Sequence, residues 1–88
     1  MATYRVVLKP SVEKDLRPLP KSIVARIMKH IEGLSDDPFP DGTAKLAGTE
    51  QTYRIRVGDY RVIYGVDKAT KQVTVHYVRH RREVYRRV

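Results

Sequence analysis

The stretch that most constrains this chain is Tyr53-Arg54-Ile55-Arg56-Val57-Gly58-Asp59-Tyr60-Arg61-Val62-Ile63-Tyr64. β-Branched and aromatic residues recur with period two on both sides of Gly58-Asp59, which predicts two strands joined by a two-residue turn. A turn of that length fixes the register, setting Val57 opposite Tyr60, Arg56 opposite Arg61, Ile55 opposite Val62 and Arg54 opposite Ile63. Parity then separates two faces. One carries Tyr53, Ile55, Val57, Tyr60, Val62 and Tyr64 and needs to be covered. The other carries Arg54, Arg56, Arg61 and Ile63. Like charges directly opposed across a strand pair are unfavourable, so Arg56 against Arg61 points to an anionic ligand on that face.

Charge is distributed to match. The formal net charge of the 88 residues is +8, and residues 51–88 hold ten Lys/Arg against three Asp/Glu, whereas residues 1–50 hold eight against seven. A positive surface concentrated in the half that contains the hairpin attracts phosphate backbones or an acidic protein. The length suits one domain spanning residues 1–88. There is no cysteine, which removes disulfides and thiolate metal sites and fits a reducing compartment. No apolar run reaches the ~20 residues that cross a bilayer, and the first residues lack the apolar core of a signal peptide. These features predict a cytoplasmic protein with no membrane association.

Upstream of the hairpin, Thr3–Leu8 reads as a strand stopped by Lys9-Pro10. A short helix follows, with Ser11 as the expected N-cap and Glu13 and Asp15 in the first turn suiting the helix dipole; Pro18 and Pro20 end it. A longer helix is predicted over Lys21–Leu34, where Ile23, Ile27, Ile31 and Leu34 form a core-facing stripe. Residues 35–42 are dense in turn formers, and Lys45-Leu46-Ala47-Gly48 leads into the hairpin. After it come a polar turn at Asp67–Lys71 and a strand over Val73–Val78. Strict alternation in that strand would place Val73, Val75 and Tyr77 with the apolar face, and Thr74, His76, Val78 and His80 with the arginines. The tail is expected to close in a short helical turn. The result is a two-layer α+β domain in which two N-terminal helices cover one face of an antiparallel sheet of about four strands, leaving the arginine face open.

Four segments carry a family resemblance: Lys45-Leu46-Ala47-Gly48, Tyr53-Arg54-Ile55-Arg56, Gly58–Tyr64 and His80-Arg81-Arg82-Glu83-Val84-Tyr85. In this order and spacing they resemble the motifs of the RelE/ParE superfamily of toxins from type II toxin–antitoxin pairs. The last segment is similar to the RelE branch, whose members are ribosome-dependent endoribonucleases that cut messenger RNA in the decoding site. The ParE branch shares the fold and targets DNA gyrase. The resemblance implies an acidic antitoxin partner, the ribosome and messenger RNA as targets, no cofactor and no metal. It matches the family's functional residues to Arg54, Arg56, Arg61, Arg81 and Tyr85. The interval between the late arginine and the tyrosine is shorter here than in the family when counted from Arg81, which makes Arg79 a rival. Lys45, Arg79, His80 and Arg82 are further RNA-binding candidates. Where the best-studied branch has lysines, this chain has Arg54 and Arg56.

Metal-free RNA cleavage must activate a 2′-hydroxyl, stabilise charge on a pentavalent phosphate and protonate the departing 5′-oxygen. Guanidinium groups fork onto phosphate oxygens and remain charged, so they suit the second task and are poor bases. The base candidates are His76, His80 and Tyr85. A zinc ion shared by His76 and His80 is disfavoured, because four residues of strand separate them by ~13 Å. A protein inhibitor of gyrase without catalysis and a basic RNA-binding or corepressor module are the competing readings.

Overall fold

The computed structural model describes residues 4–46 and 51–80. Its elements, in chain order, are strand β1 (Arg5–Leu8), helix α1 (Pro10–Leu16), helix α2 (Lys21–Gly33) and strands β2 (Ala44–Lys45), β3 (Thr52–Val57), β4 (Tyr60–Asp67) and β5 (Gln72–His80). They build one five-stranded sheet in the order β1-β5-β4-β3-β2, in which β1 runs parallel to β5 and the remaining pairs are antiparallel. The expectation of about four strands is corrected to five, because Ala44-Lys45 pairs with Arg54 and Tyr53. The expected C-terminal helical turn lies outside the described residues.

The β3–β4 hairpin has the register that its turn length dictates, including Arg56↔Arg61 and Val57↔Tyr60. Gly58 takes φ +60°, the left-handed backbone that a two-residue turn with glycine at its first central position requires. On one face, Ile55, Val57, Val62, Tyr64, Val66, Val73 and Val75 meet Val12 of α1 and Ile27 and Ile31 of α2, with Leu34 just beyond that helix. The helical stripe is therefore core. Tyr64 is fully buried and its hydroxyl donates to the Pro38 carbonyl at 2.8 Å, pinning the loop after α2 beneath the sheet. Burial raises the Tyr64 pKa above its ordinary value.

Two local expectations fail for identifiable reasons. Pro10 occupies the start of α1, the N-cap is Lys9, and no side chain caps the helix. Ser11 instead donates its hydroxyl to the His76 carbonyl, because β1 stops at Leu8 opposite Val75 while β5 continues and leaves an edge to be satisfied. Alternation in β5 also breaks. Ile63 pairs with Tyr77 and Tyr64 with Val75, so His76 is an extra residue in a β-bulge, and a bulge shifts every residue beyond it to the opposite face. Val78 is consequently a core residue, 3% exposed. Tyr77 and Arg79 lie on the open face, opposite Ile63 and Arg61.

Candidate nucleic-acid interface

The open face of the sheet is built in cross-strand rows. Arg56 of β3, Arg61 of β4 and Arg79 of β5 are consecutive partners and form one row; Arg54, Ile63 and Tyr77 form the next. Three guanidinium-bearing residues thus span three adjacent strands, each strand ~4.8 Å from its neighbour. Arg54, Arg56 and Arg61, with Gly42 and Ala44, line a cavity of about 260 Å3. Arg61 is only 8% exposed. Its position in the central strand of the row fixes its backbone, and Arg56 stands exposed beside it.

Arg79 is held differently. Its guanidinium donates to Asp15 Oδ2 at 2.7 Å and to the Val78 carbonyl at 3.0 Å, and it lies 4.6 Å from the centre of the Tyr77 ring. A planar guanidinium stacked on an aromatic face and tied by two hydrogen bonds has little rotamer freedom left.

The candidates do not all converge. Arg54, Arg56, Arg61 and Arg79 share the open face. Lys45 pairs opposite Tyr53, so its side chain takes the other face from the arginines. His80 is likewise removed from the arginine face expected for it: the bulge turns it towards the helices, where its ring meets Tyr60 edge-on at 5.0 Å. Arg81, Arg82 and Tyr85 lie outside the described residues. Sequence reasoning missed Tyr77 as a member of this face, since the alternation of Val73, Val75 and Tyr77 gives no sign of the inserted residue. For Arg79 there was a signal, the long interval to Tyr85.

His76 remains on the open side, its Nε2 3.0 Å from where a Cβ on Gly65 would stand. The missing side chain at Gly65 makes room for the imidazole. Burial, and after it the charge of Lys9, lowers the His76 pKa from its ordinary 6.5. The folded state therefore binds fewer protons than the unfolded chain between the two pKa values. The associated stability is complete above ~6.5 and is lost as pH falls through the lowered folded value. Melting curves across that window should show a pH dependence that His76→Gln flattens. An NMR titration of wild type should place the His76 midpoint below ~6.5; a midpoint at or above it would contradict the burial argument.

Among the described residues, no cluster of His, Asp and Glu could hold a metal ion, and no helix is long and apolar enough to cross a membrane. The family model described as ParE toxin of type II toxin–antitoxin system, parDE, matches residues 6–85. The toxin RelG of Mycobacterium tuberculosis is 32% identical over 85 residues, covering 96% of this chain and 98% of that protein. The archaeal RelE–RelB complex from Pyrococcus horikoshii superposes with a TM-score of 0.81 at 37% identity, covering 90% of this chain and 96% of the matched chain. The isolated RelE toxin of E. coli superposes with a TM-score of 0.75 at 25% identity, covering 96% and 93%.

Proposed function

The chain belongs to the ParE toxin family of type II toxin–antitoxin systems, and from that premise we propose that it is a RelE-like toxin that cleaves messenger RNA on the ribosome. The observation that carries this reading is the row Arg56–Arg61–Arg79 across the open face. A phosphate in trigonal-bipyramidal geometry presents oxygens that guanidinium groups on three adjacent strands can reach from several sides. In the reaction the 2′-oxygen bonds to phosphorus, the bond to the 5′-oxygen breaks, and the arginines stabilise the added negative charge. The 2′-hydroxyl proton passes to Tyr85, the residue that the family motif matches, and the 5′-oxygen takes a proton from water as it leaves. A tyrosine accepts a proton only as its tyrosinate, so a Tyr85 base makes the rate rise with pH.

The partner is an acidic antitoxin. The solved relative from P. horikoshii is a complex of RelE with RelB, and residues 51–88 supply the basic surface that such a segment neutralises. Next to β5, β1 forms an edge of the sheet, with Val7 and Leu8 exposed. Beside it runs a groove of about 620 Å3 lined by Leu8, Val12, Leu16, Val24 and Met28. This gives the antitoxin apolar surface to bury.

The name of the matching family favours one competing reading, a ParE-like inhibitor of gyrase. Purified protein added to a translation extract separates the two: cut messenger, abolished by co-expressed antitoxin, is the expected result, and intact messenger with inhibited supercoiling would replace this reading with the other. Single-turnover cleavage on saturating ribosome complexes should keep rising with pH above neutrality, and Tyr85→Phe should remove most of it. A plateau near ~7 with Tyr85→Phe fully active would take Tyr85 out of the chemistry and point to a histidine.

A further inference from the structure

We propose that Asp15, on the short helix α1, is a positioning residue for Arg79, an inference that rests on the cleavage reading above. β1 ends opposite Val75, but β5 runs on to His80, so the edge of β5 from His76 onward has lost its strand partner. α1 takes its place with side chains. Ser11 donates to the His76 carbonyl, and Asp15 Oδ2 accepts from the Val78 N–H at 2.9 Å. The spacings agree: four residues of helix advance ~6 Å and two residues of strand ~6.6 Å.

The same carboxylate oxygen also accepts from the Arg79 guanidinium at 2.7 Å. One atom therefore ties down both the backbone just past the bulge and the cation that the bulge has turned onto the open face. Had β5 kept strict alternation through His76, Arg79 would face the helices, and the Val78 N–H would point away from α1. Asp15 thus fastens the shifted register that puts Arg79 beside Arg61, and holds its side chain against the Tyr77 ring.

The energetic setting favours a positional role over a stabilising one. The Asp15 and Arg79 side chains are 20% and 31% exposed, and partly exposed ion pairs add little to stability. What the pair changes is where the guanidinium spends its time. A phosphate held by Arg56 and Arg61 meets a third donor already oriented, with Arg79 at the β5 end of a row of three like charges and a carboxylate at its outer side. Fixed orientation of a charge-stabilising group acts on the chemical step rather than on substrate affinity.

Asp15→Asn is the variant to test, because its amide oxygen still accepts the Val78 N–H while the negative charge that holds the guanidinium is removed. In single-turnover cleavage on ribosome complexes it should slow the chemical step by about ten- to a hundredfold, with affinity for the ribosome and melting temperature unchanged. In an Arg79→Ala background the same substitution should have no further effect, so the double-mutant cycle should be strongly non-additive. A loss seen equally in both backgrounds, a loss confined to affinity, or a variant that cuts faster than wild type would overturn the proposal. Wild-type protein that leaves messenger intact would defeat the cleavage reading itself, an outcome distinct from an additive cycle in a protein that cuts.

Discussion

Arg61→Met is expected to slow messenger cleavage by about 10²–10³-fold, the effect of deleting one preorganised donor to a developing oxyanion, while the domain remains folded. Arg61 sits in the central strand of the row, between Arg56 and Arg79, and is 8% exposed. Its stem is therefore packed as well as its charge placed. Methionine keeps most of that packing and removes the cation, so a loss of activity cannot be assigned to a void. Arg56→Met, at an exposed position, should weaken cleavage less. Rates measured under single-turnover conditions, with thermal melts of the same preparations, decide the matter. A variant that cuts at the wild-type rate would remove the row from the mechanism, and one that fails to fold would show that the buried guanidinium serves the core.

Ile27→Ala should have the largest effect on stability. Ile27 is fully buried where α2 crosses the sheet, and removing most of a buried isoleucine side chain costs about 2–5 kcal/mol through lost transfer energy and the cavity left behind. A domain of this size has about 5–15 kcal/mol to lose. The melting temperature should fall by upwards of ~10 °C, and Ile27→Val by much less. A shift of only a degree or two for Ile27→Ala would mean that α2 is not docked on the sheet as described. Because Ile27 lies on the opposite side of the sheet from the arginine row, the folded fraction of the variant should still cut messenger at the wild-type rate.

The contrast between β4 and β5 shows how far the sequence could be read. Along β3 and β4, period-two alternation and a two-residue turn leave one register, and each expected pair is present. The core stripe of α2 was equally legible, since Ile27, Ile31 and Leu34 recur at helical spacing and the turn formers after them mark the end. In β5 the same logic failed at His76. Nothing in Val73-Thr74-Val75-His76-Tyr77-Val78 marks an extra residue, because Tyr77 and Val78 are equally at home in a core, and alternation therefore assigned Tyr77, Val78 and His80 to the wrong faces.

By itself the sequence determined the α+β class, the hairpin and its register, the segregation of positive charge and the family motifs, because each depends on residues close together along the chain. Tertiary structure alone decided the composition of the site on its β5 side. Whether Arg79 or His80 faces the arginines depends on one inserted residue, and that bulge sits beside an α1 edge whose Ser11 and Asp15 meet β5 more than 60 residues later. A contact between a helix side chain and a strand edge carries no periodicity, so no local pattern announces it. It exists because β1 is shorter than β5, and the backbone groups left over at that edge must find hydrogen-bond partners.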